Sequence, residues 1–586
     1  MAVLVSLVSV NAASATADDE IPSPKPVEIM RRRHDPAITS GQSIVWDLDS
    51  PGAVPFYMGY VETPQTPPSP AWRDPRVLCN GATDPACSPS LNSHMNVSTV
   101  LGVCESDAEV GCVEALSSRS TGGEFVALTR VDGGVTVHAE NPALRLPRSA
   151  TLSTWQDSSG ARYVLTAHMT TWLTAASGSW GVPTSSSLTV MISRIPRATT
   201  HPAGSVSIID SASLPGKKTY SVSNGTPMNT VELTKGLRFN LKIRVPNTVA
   251  GWFQGRIANA VVGSKPLSDS RTVYELEGDV ASVYVAGGEA DSSNPQFPVK
   301  PWTYNGFMNS LSNPSVIQDY DKWKPFLNDK AVTTRNEWVL TALAMPNNNC
   351  FDASKGLTGV ASTNAAFYSP TPPTYNSSTG AVEYKVASPH FDESGNVAVG
   401  SYSLSIPTAA IQCMYKVSVE PEAAEVSFKY DDGSDPYVVT QTVTKKDNWI
   451  NVSVTGIHFS APTVATRFGT LSANASGTAN SNFAALMAGA QASSSSTSTS
   501  TLTGNYVKTV ISGVKATVTV TLAAKGTFTV YRKVGKKLVL VKKVSGKKGA
   551  NKVVTSYLKG YSFVVKDSKG KTLAVKTTAV RFAHYY

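Results

Sequence analysis

Short runs in which apolar and polar residues alternate recur along most of this chain. In Arg238–Val245 apolar side chains occupy every second position, and in Val514–Leu522 apolar residues alternate with threonine and lysine. An alternation of period two is the pattern of a strand with one buried face. Such runs recur about every 8–12 residues between Gly, Asp, Asn and Pro turns, a spacing typical of β-sandwiches. We therefore predict a mainly β chain with several Ig-like or jelly-roll-like β-sandwich modules in tandem.

Three local patterns give more specific predictions. Phe125–His138 has two β-prone arms around Asp132-Gly133, which predicts a hairpin. Ser315–Leu327 and Asn336–Met345 are less regular, and each is predicted to hold a short helix.

Composition divides the chain into segments. The opening apolar run, followed by Ala13-Ser14-Ala15, is typical of an export signal. Phe468–Val507 has no charged residue and includes a Ser/Thr tract, which is typical of a linker. The predicted segments are a signal peptide at 1–15, a disordered N-terminal segment at 16–40, a β-rich domain with two small disulfide loops at 41–214, a β-rich domain with short helices at 215–345, a β-sandwich domain with a disulfide at 346–467, a Ser/Thr/Ala-rich linker at 468–503, and a small separate Lys-rich β-domain at 504–586.

The net charge is concentrated at the C-terminal end. Residues 504–586 contain 16 Lys, 2 Arg and one acid, Asp567, for a net charge of +17, whereas the rest of the chain carries −7. Such an asymmetry indicates an electrostatic partner for the basic segment. The lysines lie at its predicted turns and strand ends. The candidate binding residues are Lys533, Lys536, Lys537, Lys542, Lys543, Lys547 and Lys548.

The excess of lysine over arginine narrows the class of partner. Base readout and bidentate phosphate contacts favour arginine, and the segment lacks the aromatic signature of RNA-binding modules. We therefore expect an anionic cell-envelope polymer, an acidic polysaccharide or a membrane surface, and no specific nucleic acid. An alternative needs no ligand, because lysines at turns and edges also protect small β-domains from edge-to-edge aggregation.

The six cysteines suggest a disulfide framework. Two pairs have the same C-x7-C spacing, and the other two cysteines lie far apart in the sequence. A metal site is the alternative, but no CxxC or histidine stands at ligand spacing. Disulfides are typical of proteins exported to an oxidising compartment. The predicted pairs are Cys79–Cys87, Cys104–Cys112 and Cys350–Cys413.

No catalytic motif is present in the sequence. The eight histidines are isolated, and a nucleophile elbow, a P-loop and a dinucleotide fingerprint are all missing. We predict no cofactor, metal or catalytic residue. Three acid-rich stretches remain alternatives for calcium: 431–435, the Cys104–Cys112 loop and Asp319-Tyr320-Asp321. Trp172 and Trp180 flank a Ser/Gly-rich turn and are candidates for a surface that stacks on sugar rings.

The order of the segments resembles that of secreted or surface proteins of Gram-positive bacteria, actinobacteria in particular. The stretch Tyr531–Val541 is similar in style to their Lys-rich C-terminal β-modules. This organisation and the charge asymmetry together lead us to expect a secreted or cell-surface binding or structural protein that attaches through residues 504–586. A secreted hydrolase acting on glycans, with the basic domain as its targeting module, is the first alternative. A self-assembling surface-layer or filament subunit is the second.

Overall fold

The computed structural model describes most of the chain between residues 94 and 469 and much of 506–568. The described residues are 94–176, 178–183, 185–197, 230–267, 269–291, 316–324, 329–343, 350–351, 356–416, 423–429, 440–459, 463–469, 506–512, 515–522, 525–534, 537–556 and 562–568, together with the short strands 41–46, 59–63, 77–79, 205–210, 218–223, 306–307, 574–575 and 579–580. The predicted signal peptide and N-terminal segment lie outside them, as does nearly all of the predicted linker. The described chain is mainly β.

The chain divides into two compact units, residues 1–472 and 473–586, which we describe separately. The strands of the first unit are β1 (Gly41–Trp46), β2 (Gly59–Thr63), β3 (Val77–Cys79), β4 (His94–Val100), β5 (Cys112–Arg119), β6 (Val126–Ala127), β7 (Thr129–Asp132), β8 (Thr136–His138), β9 (Ser149–Ala150), β10 (Ser153–Gln156), β11 (Arg162–Ala176), β12 (Ser179–Trp180), β13 (Ser186–Ile195), β14 (Ser205–Asp210), β15 (Lys218–Ser223), β16 (Arg238–Pro246), β17 (Gly251–Pro266), β18 (Arg271–Asp291), β19 (Gly306–Phe307), β20 (Ala331–Glu337), β21 (Val339–Leu343), β22 (Leu357–Thr363), β23 (Phe367–Tyr368), β24 (Thr374–Asn376), β25 (Ala381–Ala387), β26 (Val399–Pro407), β27 (Ala423–Lys429), β28 (Thr440–Lys446), β29 (Trp449–His458) and β30 (Thr463–Gly469). Its helices are a 3-10 helix (Pro142–Leu144), α1 (Val316–Trp323) and α2 (Thr408–Tyr415).

One sheet of 21 strands organises the first unit. Strand β17 lies at its centre: the first half pairs with β21 and, in parallel, with β22, and the second half pairs with β18. Strand β18 continues the sheet towards β16, β20 and β1. The sheet contains strands from all three predicted segments 41–214, 215–345 and 346–467, so these segments share one sheet.

Alternating burial fixes the two faces of these strands. In β16 the side chains of Phe239, Leu241 and Ile243 are fully buried, while Asn240 and Lys242 point to the opposite face. The buried residues join a core that includes the edge-to-face contact of Phe239 with Trp338. A second cluster lies around β25, β26 and α2. The period-two pattern that predicted strands therefore also determines which residues form the core.

Two local predictions are wrong. The stretch Asn336–Met345 contains strand β21 instead of a helix, because β21 pairs with β13 on one side and β17 on the other. In the predicted hairpin Phe125–His138 the arms do not pair with each other: β7 pairs with β10, and β8 pairs with β9. The predicted helix in Ser315–Leu327 is present as α1.

Two of the three predicted disulfides are present. Cys104 is bonded to Cys112 and Cys350 to Cys413. Cys87 lies outside the described residues, so its pairing with Cys79 stays a prediction. The bonds indicate that the protein folds in an oxidising environment such as the extracellular space. Among the helices that the structure describes, none has the length and apolar character needed to cross a membrane.

The second unit has two small sheets. Its strands are β31 (Tyr506–Ser512), β32 (Lys515–Leu522), β33 (Gly526–Val534), β34 (Lys537–Gly546), β35 (Gly549–Ser556), β36 (Ser562–Asp567), β37 (Ala574–Val575) and β38 (Ala579–Val580). The first sheet contains β31, β32, β35, β37 and β38, and the second contains β33, β34 and β36. Buried side chains from both sheets form one core: Val520, Phe528, Val530, Val553 and Val565. The basic segment thus has its own hydrophobic centre.

Candidate binding surface of the basic unit

Six of the seven lysines predicted as binding residues lie in the described part of the chain. Four of them are exposed: Lys542, Lys543, Lys547 and Lys548. Lys533 and Lys537 lie on the paired strands β33 and β34. Lys536 lies outside the described residues.

The three-stranded sheet aligns two lysines in one cross-strand row. Thr529 of β33 is paired with Lys543 of β34 on one side and with Lys566 of β36 on the other. Directly paired residues of an antiparallel sheet point to the same face, and neighbouring strands are about 4.8 Å apart. Lys543 and Lys566 therefore stand about 10 Å apart on one face, with a threonine hydroxyl between them.

The orientation of this row follows from the core on the other side of the sheet. Phe528 and Val530, which flank Thr529, are fully buried, so Thr529 points outward. Tyr531 is the next outward residue of β33, and the ammonium of Lys566 lies 5.9 Å from the centre of its ring. That distance is within the range of a cation–π contact. The surface thus has two ammonium groups, a hydroxyl and an aromatic ring.

A bulge in β34 extends the charged surface. The register of β33 and β34 shifts between Val530 and Tyr531, which leaves Val541 as the extra residue. Val541 packs against the core, and the two lysines that follow it are both exposed. Without the bulge, strict alternation would bury every second residue of this stretch.

A second group of lysines lies where β33 begins and β34 ends. Gly526 is paired with Gly546, which places Lys525 beside the turn that contains Lys547. Asn551 stabilises that turn: its amide donates to the Lys547 carbonyl at 2.8 Å, and its carbonyl accepts from the Lys547 backbone N–H at 3.0 Å. The lysines of this turn are thus presented by a hydrogen-bonded loop.

Unit one has a charge-lined groove of a different kind. Its volume is about 680 Å³, and its lining includes four acidic and four basic side chains. Arg244 donates to Glu114 at 2.7 Å and lies 3.6 Å from Asp107. Lys446 lies 2.8 Å from Glu275. Three of the four acids are therefore paired with a cation of the same protein.

The state of Glu275 argues against a role as general acid. Burial raises the pKa of Glu275, but hydrogen bonds from Lys446 and Asn240 and the charge of Lys446 outweigh that effect. The pKa consequently lies below its ordinary value, so the carboxyl group is ionised at neutral pH. A glycosidase needs one carboxyl group that holds its proton near neutral pH.

The described tryptophans are mostly core residues. Trp180 is buried, so it does not form the stacking surface predicted for it. Four other tryptophans are buried as well: Trp155, Trp252, Trp338 and Trp449. Trp172 is 42% exposed. Among the described residues that line the charged groove, none is a tryptophan. The aromatic, carboxylate-lined cleft expected of a glycan hydrolase is not found there.

Of the three acid-rich stretches, the Cys104–Cys112 loop has an acid with a structural role. In the Cys104–Cys112 loop the carboxylate of Glu109 accepts from the Ser106 N–H at 3.0 Å and from Arg148 at 3.3 Å. Asp319 is buried, whereas Asp321 is exposed. Residues 431–435 lie outside the described part. Across the described residues, no three His, Cys, Asp or Glu side chains are grouped closely enough to hold a metal ion.

The surface could be found from sequence only in part. Composition reveals the lysine-rich turns, but it does not distinguish Thr529, Tyr531 or Lys566 from their neighbours. Lys566 follows Lys543 by more than twenty residues, and only the pairing of both strands with β33 brings them together. The alternation of buried Phe528 and Val530 was the available signal that Thr529 faces outward.

Comparison with known proteins does not assign this chain to a family. No protein-family model matches the chain, and no curated protein shows significant similarity to it.

Proposed function

We propose that this chain is a secreted or cell-surface binding protein that attaches to an anionic envelope polymer or acidic polysaccharide through residues 504–586. The main support is the row formed by Lys543, Thr529 and Lys566 on one face of β33, β34 and β36. The segment has 18 basic residues and one acid, so little negative charge is available within it to neutralise the row. We also propose that its strands form β-sandwich modules of Ig-like or jelly-roll-like type.

A polymer suits this surface better than a single phosphate. The backbone positions of the two lysines are about 10 Å apart, and the exposed lysines elsewhere are distributed over the turns and edges. A polyanion with repeated charges contacts several of these points at once, and each contact is weak and solvated. The attraction is therefore expected to be strong in total and sensitive to salt.

A hydrolase has less support. The acids of the described groove are largely paired with cations, and Glu275 has a lowered pKa. In the described part of the chain, no observation favours self-association into a filament or surface layer. We therefore propose attachment alone.

The test measures binding of the full-length protein to immobilised poly(glycerol phosphate) and to polygalacturonate in a salt series. We expect binding at about 50 mM salt and release by about 1 M, because the screening length falls from more than about 10 Å to about 3 Å. Binding that survives 1 M salt, or no binding at 50 mM, would contradict the proposal. Vesicles of phosphatidylglycerol, tested in parallel, show whether a membrane surface is preferred.

A pair of charge-matched variants tests the row. K543E/K566E reverses both lysines of the row, and K525E/K552E reverses two exposed lysines outside it, one in the second lysine group and one on β35. Both variants lower the net charge equally. We expect K543E/K566E to be released at a clearly lower salt concentration than K525E/K552E. Equal release would mean that net charge alone determines binding and that the row has no special role.

A further inference from the structure

Trp172 projects from a polar sheet face of unit one. On β11 the side chains of Leu173 and Ala175 are buried against those of Met95 and Val97 of β4. The intervening residues therefore point to the opposite face, and Trp172 is 42% exposed there. The remaining tryptophans with described side chains are at most 8% exposed.

The described side chains around Trp172 are uncharged, and those of Asn96, Ser98 and Thr170 can form hydrogen bonds. Asn96 of β4 is directly paired with Trp172 and is exposed. One pair further along, Thr170 lies between Ser98 of β4 and Ser187 of β13 in a single cross-strand row. This row is about 7 Å from the Trp172–Asn96 pair along the strands. The indole thus stands beside a patch of hydroxyl and amide groups, and the pair Thr174–His94 follows it on the other side.

These polar groups are available to a ligand. Within the part of the chain that the structure describes, no hydrogen bond engages the side chains of Asn96, Ser98 or Thr170. The neighbouring strands hold the patch in place, since β11 pairs with β4 on one side and with β13 on the other. A ligand would therefore meet donors and acceptors whose backbone is fixed before binding.

We propose that this patch binds a neutral polysaccharide, with a pyranose ring stacked on Trp172 and its hydroxyl groups hydrogen-bonded to Asn96, Ser98 and Thr170. A pyranose has an apolar face of C–H groups and an equatorial rim of hydroxyls, which matches an indole beside amide and hydroxyl side chains. Tryptophan is suited to such contacts because it combines a large apolar surface with a polar N–H. The site is independent of the basic unit and extends the activity proposed above to a second class of polymer.

The same observations disfavour other ligands. The five described side chains of the patch carry no charge, so a polyanion would find no counter-charge there. A protein interface usually has an apolar centre larger than one side chain. A sugar is the best chemical match for one aromatic ring surrounded by the amide of Asn and the hydroxyls of Ser and Thr.

The test uses affinity electrophoresis and calorimetry of the full-length protein with laminarin, xylan, mannan, chito-oligosaccharides and cello-oligosaccharides. Because Asn96-Val97-Ser98 is an N-glycosylation acceptor sequence, the protein is made in a host without N-glycosylation. We expect at least one of these neutral glycans to bind with unchanged affinity between about 50 mM and 1 M salt. If none binds at millimolar concentration, the proposal is overturned.

Four variants distinguish binding at Trp172 from other causes. Trp172→Ala should weaken binding about tenfold or more, and Trp172→Phe should retain part of it. Val126→Ala removes apolar surface from a similarly exposed position on β6 and should bind like the wild type. K543E/K566E should also leave neutral-glycan binding unchanged. Equal affinity of Trp172→Ala and Val126→Ala, or loss of binding in K543E/K566E, would refute the site while leaving attachment through the basic unit to its own test.

Discussion

Arg148 offers a quantitative test of how the Cys104–Cys112 loop is held. Its guanidinium is 3.3 Å from the Glu109 carboxylate and donates to the Val103 carbonyl and the Thr136 hydroxyl at 2.8 Å each. The side chains of Arg148 and Glu109 are 10% and 7% exposed. An acid so deeply buried depends on its cation, because removing one partner of a buried ion pair strands the other charge.

We expect Arg148→Met to lower the free energy of unfolding of unit one by about 3–5 kcal/mol. The methionine fills part of the space, but the Glu109 carboxylate keeps only the backbone N–H groups of Glu105 and Ser106. Replacing both partners, as in R148M/E109L, removes the stranded charge, so the double variant should be more stable than Arg148→Met. Arg145→Met, at an exposed position in the same segment, should change stability by less than about 0.5 kcal/mol.

The assay is urea unfolding at pH 7 followed by tryptophan fluorescence. All ten tryptophans lie between residues 46 and 449, so the signal reports unit one and is silent for unit two. Midpoints are compared between variants with the same slope. A cost below about 1 kcal/mol for Arg148→Met, or a double variant as unstable as the sum of the singles, would refute the argument from a stranded carboxylate.

Two further predictions concern unit one. A Cβ on Gly255 would lie 2.1 Å from the Val339 carbonyl oxygen, so Gly255→Ala should lower the free energy of unfolding in urea by at least about 1–3 kcal/mol. Gly123→Ala is the control: its Cβ would lie 3.4 Å from the nearest non-adjacent atom, and it should lower the free energy of unfolding by less than about 0.5 kcal/mol. Burial lowers the pKa of His168 from 6.5 to about 4, so between these pH values the unfolded chain takes up a proton that the folded chain excludes. Unit one should therefore lose stability as the pH falls from about 6.5 to 4, and the urea midpoint of His168→Asn should depend less on pH over that range; an unchanged pH profile would show that His168 is not the group responsible.

Strand content was predictable because the alternation is local, whereas strand pairing was not. The stretch Asn336–Met345 shows the limit: Trp338, Leu340 and Ala342 all enter the core, which is the pattern of a strand. In a short apolar run, however, the strand and helix periods are hard to distinguish. What decides the outcome is pairing with β13 and β17, and those strands lie far away in the sequence.

The Asp132-Gly133 turn also shows that a local pattern does not determine which strands pair. Gly133 and Gly134 both have positive φ angles, as the turn chemistry suggests. A Cβ on Gly133 would lie 1.8 Å from the Leu152 carbonyl, so the segment leading to β10 passes directly against the turn. The arms consequently pair with β9 and β10 instead of with each other. Glycine here permits a close approach of two backbones that the local sequence does not reveal.

Neighbours brought close by the fold also decide how strongly a basic side chain attracts an anion. The number of cations matters less for this attraction than the acids that lie beside them. In unit one Arg238, Arg244 and Lys446 each have a carboxylate oxygen within 2.6–2.8 Å. Their fields largely cancel over distances shorter than a screening length of about 8–10 Å. Residues 504–586 have one acid for 18 basic side chains, so the field of Lys543 and Lys566 is screened mainly by salt. Raising the salt concentration should therefore weaken polyanion binding by the basic unit much more than it weakens any contact made at Trp172.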